Sequence, residues 1–459
     1  MPLSEKDRLL KLVRDGLPLT TGQQVRLAAA LSVPAIMSQI STIIMQYIDA
    51  SMVGRLGASA SAAIGLISTS TWLLGGLVGS AATGFAVQVA HKIGASNNKE
   101  ARVILRQALT ACFLFSLIIM AFGVSISDAL PGWLGGNEEI CRDASIYFMI
   151  FCFTLPIHMI RRLGGSMLRC AGNVKVPSLL NVFACCMDVV FNYFLIYKMN
   201  MGVKGAALGT MLAETITMVL MQYFLCFRSE ELRLTHEKGS FKPDWLHIRL
   251  SLKIGLPMGI EHVIFCAAQI VSTIIVAPLG TVAIAANAFG ITIESLCYMP
   301  GYGIGDAATT LVGQSLGAGR RELCKKFASI TIWMGVAVMS FMGVIMFITS
   351  PYLMTIMTPD VMVQELSTKV LRIEAFAEPF YAASIVAYSV FVGMGKTIKP
   401  CVMNLISIWC VRITLAALLA SSMGLVGVWL AMAIELTFRG IIQTIILYYD
   451  FNKESRVRG

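Results

Sequence analysis

The sequence predicts an all-α membrane protein with twelve transmembrane helices in two homologous six-helix bundles. Three observations lead there. Of 459 residues, 56% are hydrophobic and only 14% charged, and the mean hydropathy of +0.74 leaves too little polar surface for a soluble domain. Apolar stretches of about twenty residues, enough to cross a roughly 30 Å hydrocarbon core, recur along the whole chain. Finally, the sequence repeats itself at a constant offset of 223 residues.

The twelve apolar stretches are centred near residues 39, 73, 114, 153, 186, 215, 263, 294, 338, 380, 409 and 436. Backbone groups in lipid must be satisfied within their own segment, and these stretches are too long and too uniformly apolar for barrel strands, so each reads as a helix. Residues 1–25 form a polar cytoplasmic tail without the pattern of a cleavable signal peptide. Within it, SEKDRLLKLV reads as a short surface helix opened by Ser4 and Asp7, or as a frayed tail. Residues 26–227 hold the first six helices, the N-lobe. The longest polar stretch, 228–249 (RSEELRLTHEKGSFKPDWLHIR), is a cytoplasmic linker and the natural boundary. Residues 250–448 hold the second six, the C-lobe, and 449–459 a cytoplasmic tail.

The repeat pairs Pro34 with Pro257, Gln46 with Gln269 and Leu56-Gly57 with Leu279-Gly280. It continues through Gly94-Ala95 with Gly317-Ala318, and still holds at Pro156 with Pro379, Gly172 with Gly395, Pro177 with Pro400 and Asn181 with Asn404. One deletion later, Gly205 pairs with Gly427. Prolines kept in step over such a length are not a coincidence of small residues. Six is an even number, so both halves start and finish on one side, and the repeat is parallel rather than inverted. Two such bundles are a common alternating-access design, with substrate bound near the midplane.

Charge fixes the expected orientation. With the first tail in the cytoplasm, 28 Lys and Arg fall in cytoplasmic tails and loops, 6 fall outside, and Arg412 and Arg439 fall within helices. That is the positive-inside pattern, and it places both termini in the cytoplasm of a cell (inner) membrane. The net charge of +10 therefore belongs to membrane topology, and no nucleic-acid partner is expected. The twelve cysteines show no CxxC pair or metal spacing and read as small apolar residues. Five scattered histidines and the absence of a Walker A sequence leave no basis for an enzyme, a cofactor or ATP as driving force.

Ionisable residues inside membrane helices are the first functional candidates, because burial penalises them unless they work. Asp49 lies mid-span in the first helix. Asp188 and Asn192 stand one turn apart on one face of the fifth, and the sixth contributes Thr210. Carboxylates, an amide carbonyl and a hydroxyl are hard donors suited to a small cation such as Na+; two adjacent carboxylates would equally hold a proton. Either gives coupling. The counterparts of this set in the second half are Ser272, Val411, Leu415 and Met432, so the fold itself does not need the acids.

IDASMVGRLG (48–57), LRCAGNVKVP (168–177), FVGMGKTIKP (391–400), VAPLGTVAIAANAFG (276–290) and TTLVGQSLGAG (309–319) resemble the multidrug and toxic compound extrusion (MATE) family. The resemblance covers residues 26–448. It implies a twelve-helix secondary antiporter that expels organic, often cationic, compounds in exchange for Na+ or H+. It also implies an N-half cation site: Asp49 and Thr210 match the family's positions, whereas Asp188 and Asn192 stand transposed. Pro34 matches a proline at which the first helix is proposed to bend.

Departures are greater in the second half. Glu261 and Glu378 are candidates for the substrate cavity or a second coupling site, although one family branch carries its acids at the positions of Phe265 and Tyr381 here. Gln46, Tyr47 and Tyr381 are further cavity candidates, in keeping with the flexible lining that abundant methionine, 27 residues, offers a promiscuous site. His262 reads as a packing residue. Glu435 and Arg439 form a predicted ion pair. Arg412 needs a counter-ion, for which Glu378 is the candidate. Small-molecule drugs and the bilayer are the expected partners of a monomer. The rival readings are a lipid-linked precursor flippase of the same superfamily, which needs a strongly cationic cavity, and a membrane-embedded enzyme.

Overall fold

The computed structural model describes residues 4–236 and 239–456. A surface helix, α1 (Glu5–Arg14), precedes α2 (Thr21–Gly54), α3 (Ala58–Gly94), α4 (Asn98–Ile126), the short α5 (Leu130–Trp133), α6 (Glu138–Cys170), α7 (Lys175–Tyr193) and α8 (Gly202–Tyr223). The second half runs through α9 (Trp245–Val276), α10 (Thr281–Gly317), α11 (Arg321–Met357), α12 (Val361–Gly393), α13 (Ile398–Ile406), α14 (Thr414–Met423) and α15 (Leu425–Arg456). Single wide turns extend α7 and α8, and another, Ser407–Ile413, joins α13 to α14. Among the described residues, twelve helical spans are long and apolar enough to cross a membrane. The N-terminal segment is a helix, opened by Ser4 Oγ, which accepts the Asp7 N–H at 3.3 Å.

The turns carry the repeat into the backbone. Gly57 (φ 118°) and Gly280 (φ 97°) are equivalent, and each caps the start of a long helix. Neither conformation is open to a residue with a Cβ. At the α3–α4 turn the first half uses Ser96 (φ 56°), and at the equivalent α10–α11 turn the second half uses Gly319 (φ 72°). Pro34 lies inside α2, Pro257 inside α9, Pro156 inside α6 and Pro379 inside α12. All four helices continue through them.

The chain forms two compact units. Unit 2 comprises residues 13–15 and 40–259, and unit 1 comprises 1–12, 16–39 and 260–459. Both main changes of unit therefore fall inside a helix, one in α2 and one in α9. In unit 2, α6 is the central helix and packs on α3, α4 and α8; Ile67, Val78, Ile104, Phe148 and Leu155 fill its core. The leading turns of α9 lie on α3, where a Cβ added to Gly84 would stand 2.5 Å from the Ser251 carbonyl oxygen. In unit 1 the central helix is α12, the repeat partner of α6, which packs on α10, α11 and α15. A Cβ on Gly440 would lie 2.1 Å from the Phe380 carbonyl oxygen, so α15 meets α12 backbone to backbone. The leading part of α2 lies on α10, with Ile36 against Gly303.

Candidate functional site

In unit 2, two helices bring three of the four sequence-predicted cation-site side chains into direct contact, and a third helix carries the fourth. Cys185 Sγ donates to the Ser41 carbonyl at 3.4 Å, and Tyr197 Oη donates to the Met52 carbonyl at 2.7 Å. These bonds tie the α7 span to α2 on either side of Asp49. The Asn192 amide nitrogen then donates both its hydrogens to carboxylates, one to Asp49 Oδ1 at 3.0 Å and one to Asp188 Oδ2 at 3.1 Å. The two carboxyl groups are thus neighbours across one amide nitrogen, and Thr210 lies near Asp188. Asp188 and Asn192 are buried and Asp49 is half-buried.

The arrangement leaves specific atoms over. Asp188 Oδ1 and Asn192 Oδ1 are buried with no hydrogen-bond partner. No ion pair joins either carboxylate to a basic side chain among the described residues. Two carboxyl groups this close repel unless a proton or a cation stands between them. The unpartnered oxygens and the Thr210 hydroxyl are hard donors, so their chemistry fits a small hard cation. Among the described residues no three His, Cys, Asp or Glu side chains cluster as a metal site, and this set differs in kind, with two acids supplemented by an amide and a hydroxyl.

Two contributors escaped sequence reasoning. Gly209 faces Asn192: an added Cβ would stand 2.0 Å from Asn192 Oδ1, so the absence of a side chain lets the amide sit between the acids. Tyr147 of α6 lies within electrostatic range of both carboxylates. A separate network in the same unit satisfies Glu214, which accepts from Arg161 Nε and faces His158 Nδ1 at 3.3 Å. Arg161 also donates to Asn181 Oδ1 at 2.8 Å. That carboxylate has a fixed countercharge; Asp49 and Asp188 do not.

The second-half candidates lie in unit 1, in two separate surroundings. Glu261 is half-buried and accepts from Tyr388 Oη at 2.7 Å and Asn404 Nδ2 at 2.5 Å. Asn404 accepts in turn from Gln443 Nε2 at 2.5 Å, and Gln443 accepts from Ser384 Oγ at 3.1 Å. Glu378 is fully enclosed on α12, with neither carboxylate oxygen hydrogen-bonded, and Glu374 on the same helix is in the same condition. Arg412 does not pair with Glu378. The charges that act on it are Glu294 and Glu374, whereas Glu378 faces Glu294 and Cys297. The reason is helix phase: in the wide turn Ser407–Ile413, the Arg412 side chain comes to lie against Met432, with Nη2 2.7 Å from Sδ. Arg439 pairs with Glu435 at 3.2 Å and stands 5.6 Å from the Tyr381 ring centre. Gln46 is exposed, while Tyr47, Pro34 and His262 are half-buried.

The family model described as MatE matches the chain twice, over residues 34–194 and 257–418. The "Probable multidrug resistance protein NorM" of Thermotoga maritima is 27% identical over 424 residues, covering 90% of each chain. A crystal structure of MATE in the straight conformation superposes with a TM-score of 0.90 at 19% identity, covering 97% of this chain and 99% of that one. A transporter of the MOP superfamily from Pyrococcus furiosus superposes with a TM-score of 0.89 at 18% identity, covering 96% and 98%. Its description states that reverse polarity of its binding pocket suggests a different function.

Proposed function

The chain belongs to the MATE family of multi-pass membrane transporters, and on that premise we propose that it is a secondary antiporter exporting organic, often cationic, compounds in exchange for Na+ or H+. It works by alternating access as a monomer in the cell (inner) membrane, with both termini cytoplasmic. One observation carries the reading. Asp49 and Asp188 are held together by a single Asn192 amide without a fixed countercharge, so the pair is built to take up a mobile positive charge and release it.

Coupling follows from differential affinity. An ion shifts a conformational equilibrium only as far as it binds one state better than the other. The three helices that supply the donors place the site so that relative movement of α2 against α7 and α8 changes the donor set. Asp49 arrives on α2, Asp188 and Asn192 on α7, and Thr210 on α8. Separation of α2 would break the Asn192–Asp49 bond and leave a weaker cation site. Within unit 1, the half-buried Glu261 and Tyr381 are the residues we assign to drug binding, the acid attracting a cationic compound and the ring stacking on it.

The test is transport in reconstituted vesicles, with sodium and proton gradients imposed separately and ethidium or a fluoroquinolone as substrate. Export driven by at least one gradient is expected. Transport that ignores both would overturn the antiporter reading.

A further inference from the structure

Unit 1 carries an apolar groove of about 750 Å³ between α12 and α15. Its walls are Phe376, Phe380, Ile434, Phe438 and Ile441, all exposed, and its floor is formed by Ala377 and Ala433. Small residues on the floor and large ones on the walls make a channel rather than a flat face. The polar hydroxyl of Thr437 is absorbed by the Ala433 carbonyl of its own helix at 2.8 Å. Nothing along the groove's length therefore asks for water.

Its length is informative. From Leu430 to Ile441 the α15 wall rises about 16 Å at about 1.5 Å per residue. That is close to half of a roughly 30 Å hydrocarbon core, the depth of one leaflet. The single charged lining residue, Arg372, stands at the end nearer the turns that precede α12 and α15. It is exposed. Its Nε donates to the Phe347 carbonyl at 3.4 Å, and its guanidinium lies 5.1 Å from the Phe347 ring centre. No carboxylate pairs with it among the described residues. An arginine on an otherwise apolar membrane face, held from behind by a ring and a carbonyl, presents its remaining N–H groups to an anion at the interface.

We propose that this groove binds an anionic phospholipid, with one acyl chain laid between α12 and α15 and the phosphate on Arg372. Charge at one end, an apolar channel one leaflet deep and the absence of a protein counter-ion together specify that chemistry. A free phosphate would satisfy Arg372 but leave the channel unfilled, whereas a zwitterionic lipid fills the channel and offers Arg372 a phosphate already neutralised by its own cation. The inference is independent of the transport reading.

Thermal unfolding of the purified full-length protein in detergent tests it, with added phosphatidylglycerol, phosphatidylcholine of the same chains, or soluble glycerol phosphate. Phosphatidylglycerol is expected to stabilise at a concentration about tenfold lower than phosphatidylcholine, a difference of one decade in affinity. Arg372→Gln should erase that preference without changing the response to phosphatidylcholine, and Arg372→Lys should keep most of it. Equal response to both lipids, a preference that survives Arg372→Gln, or full stabilisation by glycerol phosphate alone would overturn the proposal. Should the glutamine variant fail to fold, phosphatidylglycerol with a photoreactive chain decides the matter on the wild-type protein. Labels in 372–380 and 430–441 support the site; labels elsewhere, or displacement of the lipid by ethidium, refute it.

Discussion

Asn192 is the residue on which the candidate cation site turns. Its amide nitrogen bonds both Asp49 and Asp188, and a hydrogen bond to a charged group is worth about 1.5–3 kcal/mol. We expect Asp49→Asn to abolish drug resistance in an efflux-deficient host while leaving expression intact; normal resistance in that variant would remove the coupling role. Gly209→Ala makes a subtler cut. A methyl 2.0 Å from Asn192 Oδ1 forces the amide aside, so ion affinity should fall about tenfold or more, since about 1.4 kcal/mol is one decade. Isothermal titration of the purified variant with Na+, and with H+ by pH jump, reads that loss; unchanged affinity would show that the amide tolerates displacement. Charged residues in apolar helices announce themselves, which is why Asp49, Asp188 and their neighbours Asn192 and Thr210 were legible in the sequence. Gly209 was not, because its contribution is the side chain it lacks. The partners of Glu261, namely Asn404, Gln443 and Tyr388, were equally silent: neutral amides and phenols are common in membrane helices and acquire meaning only through contact.

At the scale of elements, the repeat shows what the scaffold demands and what it leaves free. The equivalent turns at Gly57 and Gly280 hold φ near 100°, a region that costs a non-glycine residue about 1–3 kcal/mol. Gly280→Ala should therefore lower thermal stability by about that amount while leaving the N-half carboxylates untouched, a shift readable by scanning fluorimetry. Ser96→Gly, which installs what the other half already has at Gly319, should be tolerated. The twelve helices were readable from apolar length alone, because lipid leaves a spanning segment no other choice. The wide turn at Ser407–Ile413 was not. It rotates the residues of the α13–α14 span and sends Arg412 toward Met432 rather than Glu378, a change of phase that a regular helical register cannot anticipate. Met432 is the repeat partner of Thr210. Where the first half has a hydroxyl beside Asp188, the second has a thioether against a guanidinium, so one fold carries different local chemistry in its two halves.

For the whole molecule, the compact units draw on both halves of the sequence. Residues 16–39 cluster in unit 1 with 260–459, and residues 245–259 cluster in unit 2 with 40–228. A cut in the linker between Arg228 and Arg249 therefore separates each unit from a segment of its own packing. The C-terminal fragment loses the turns of α2 that cover α10, where Ile36 lies on Gly303, and keeps the turns of α9 whose Ser251 belongs against Gly84 of α3. Each fragment alone exposes a close-packed helix face with no side chains large enough to fill the gap, since glycines there meet backbone directly. Neither fragment is expected to accumulate when expressed alone, and co-expression should restore both accumulation and drug resistance. Membrane abundance by immunoblot and resistance in an efflux-deficient host measure the two outcomes together. Two fragments that each fold and purify as monodisperse species would mean that the leading turns of α2 and α9 are dispensable to the units they pack in, and that the repeat alone sets the folding unit.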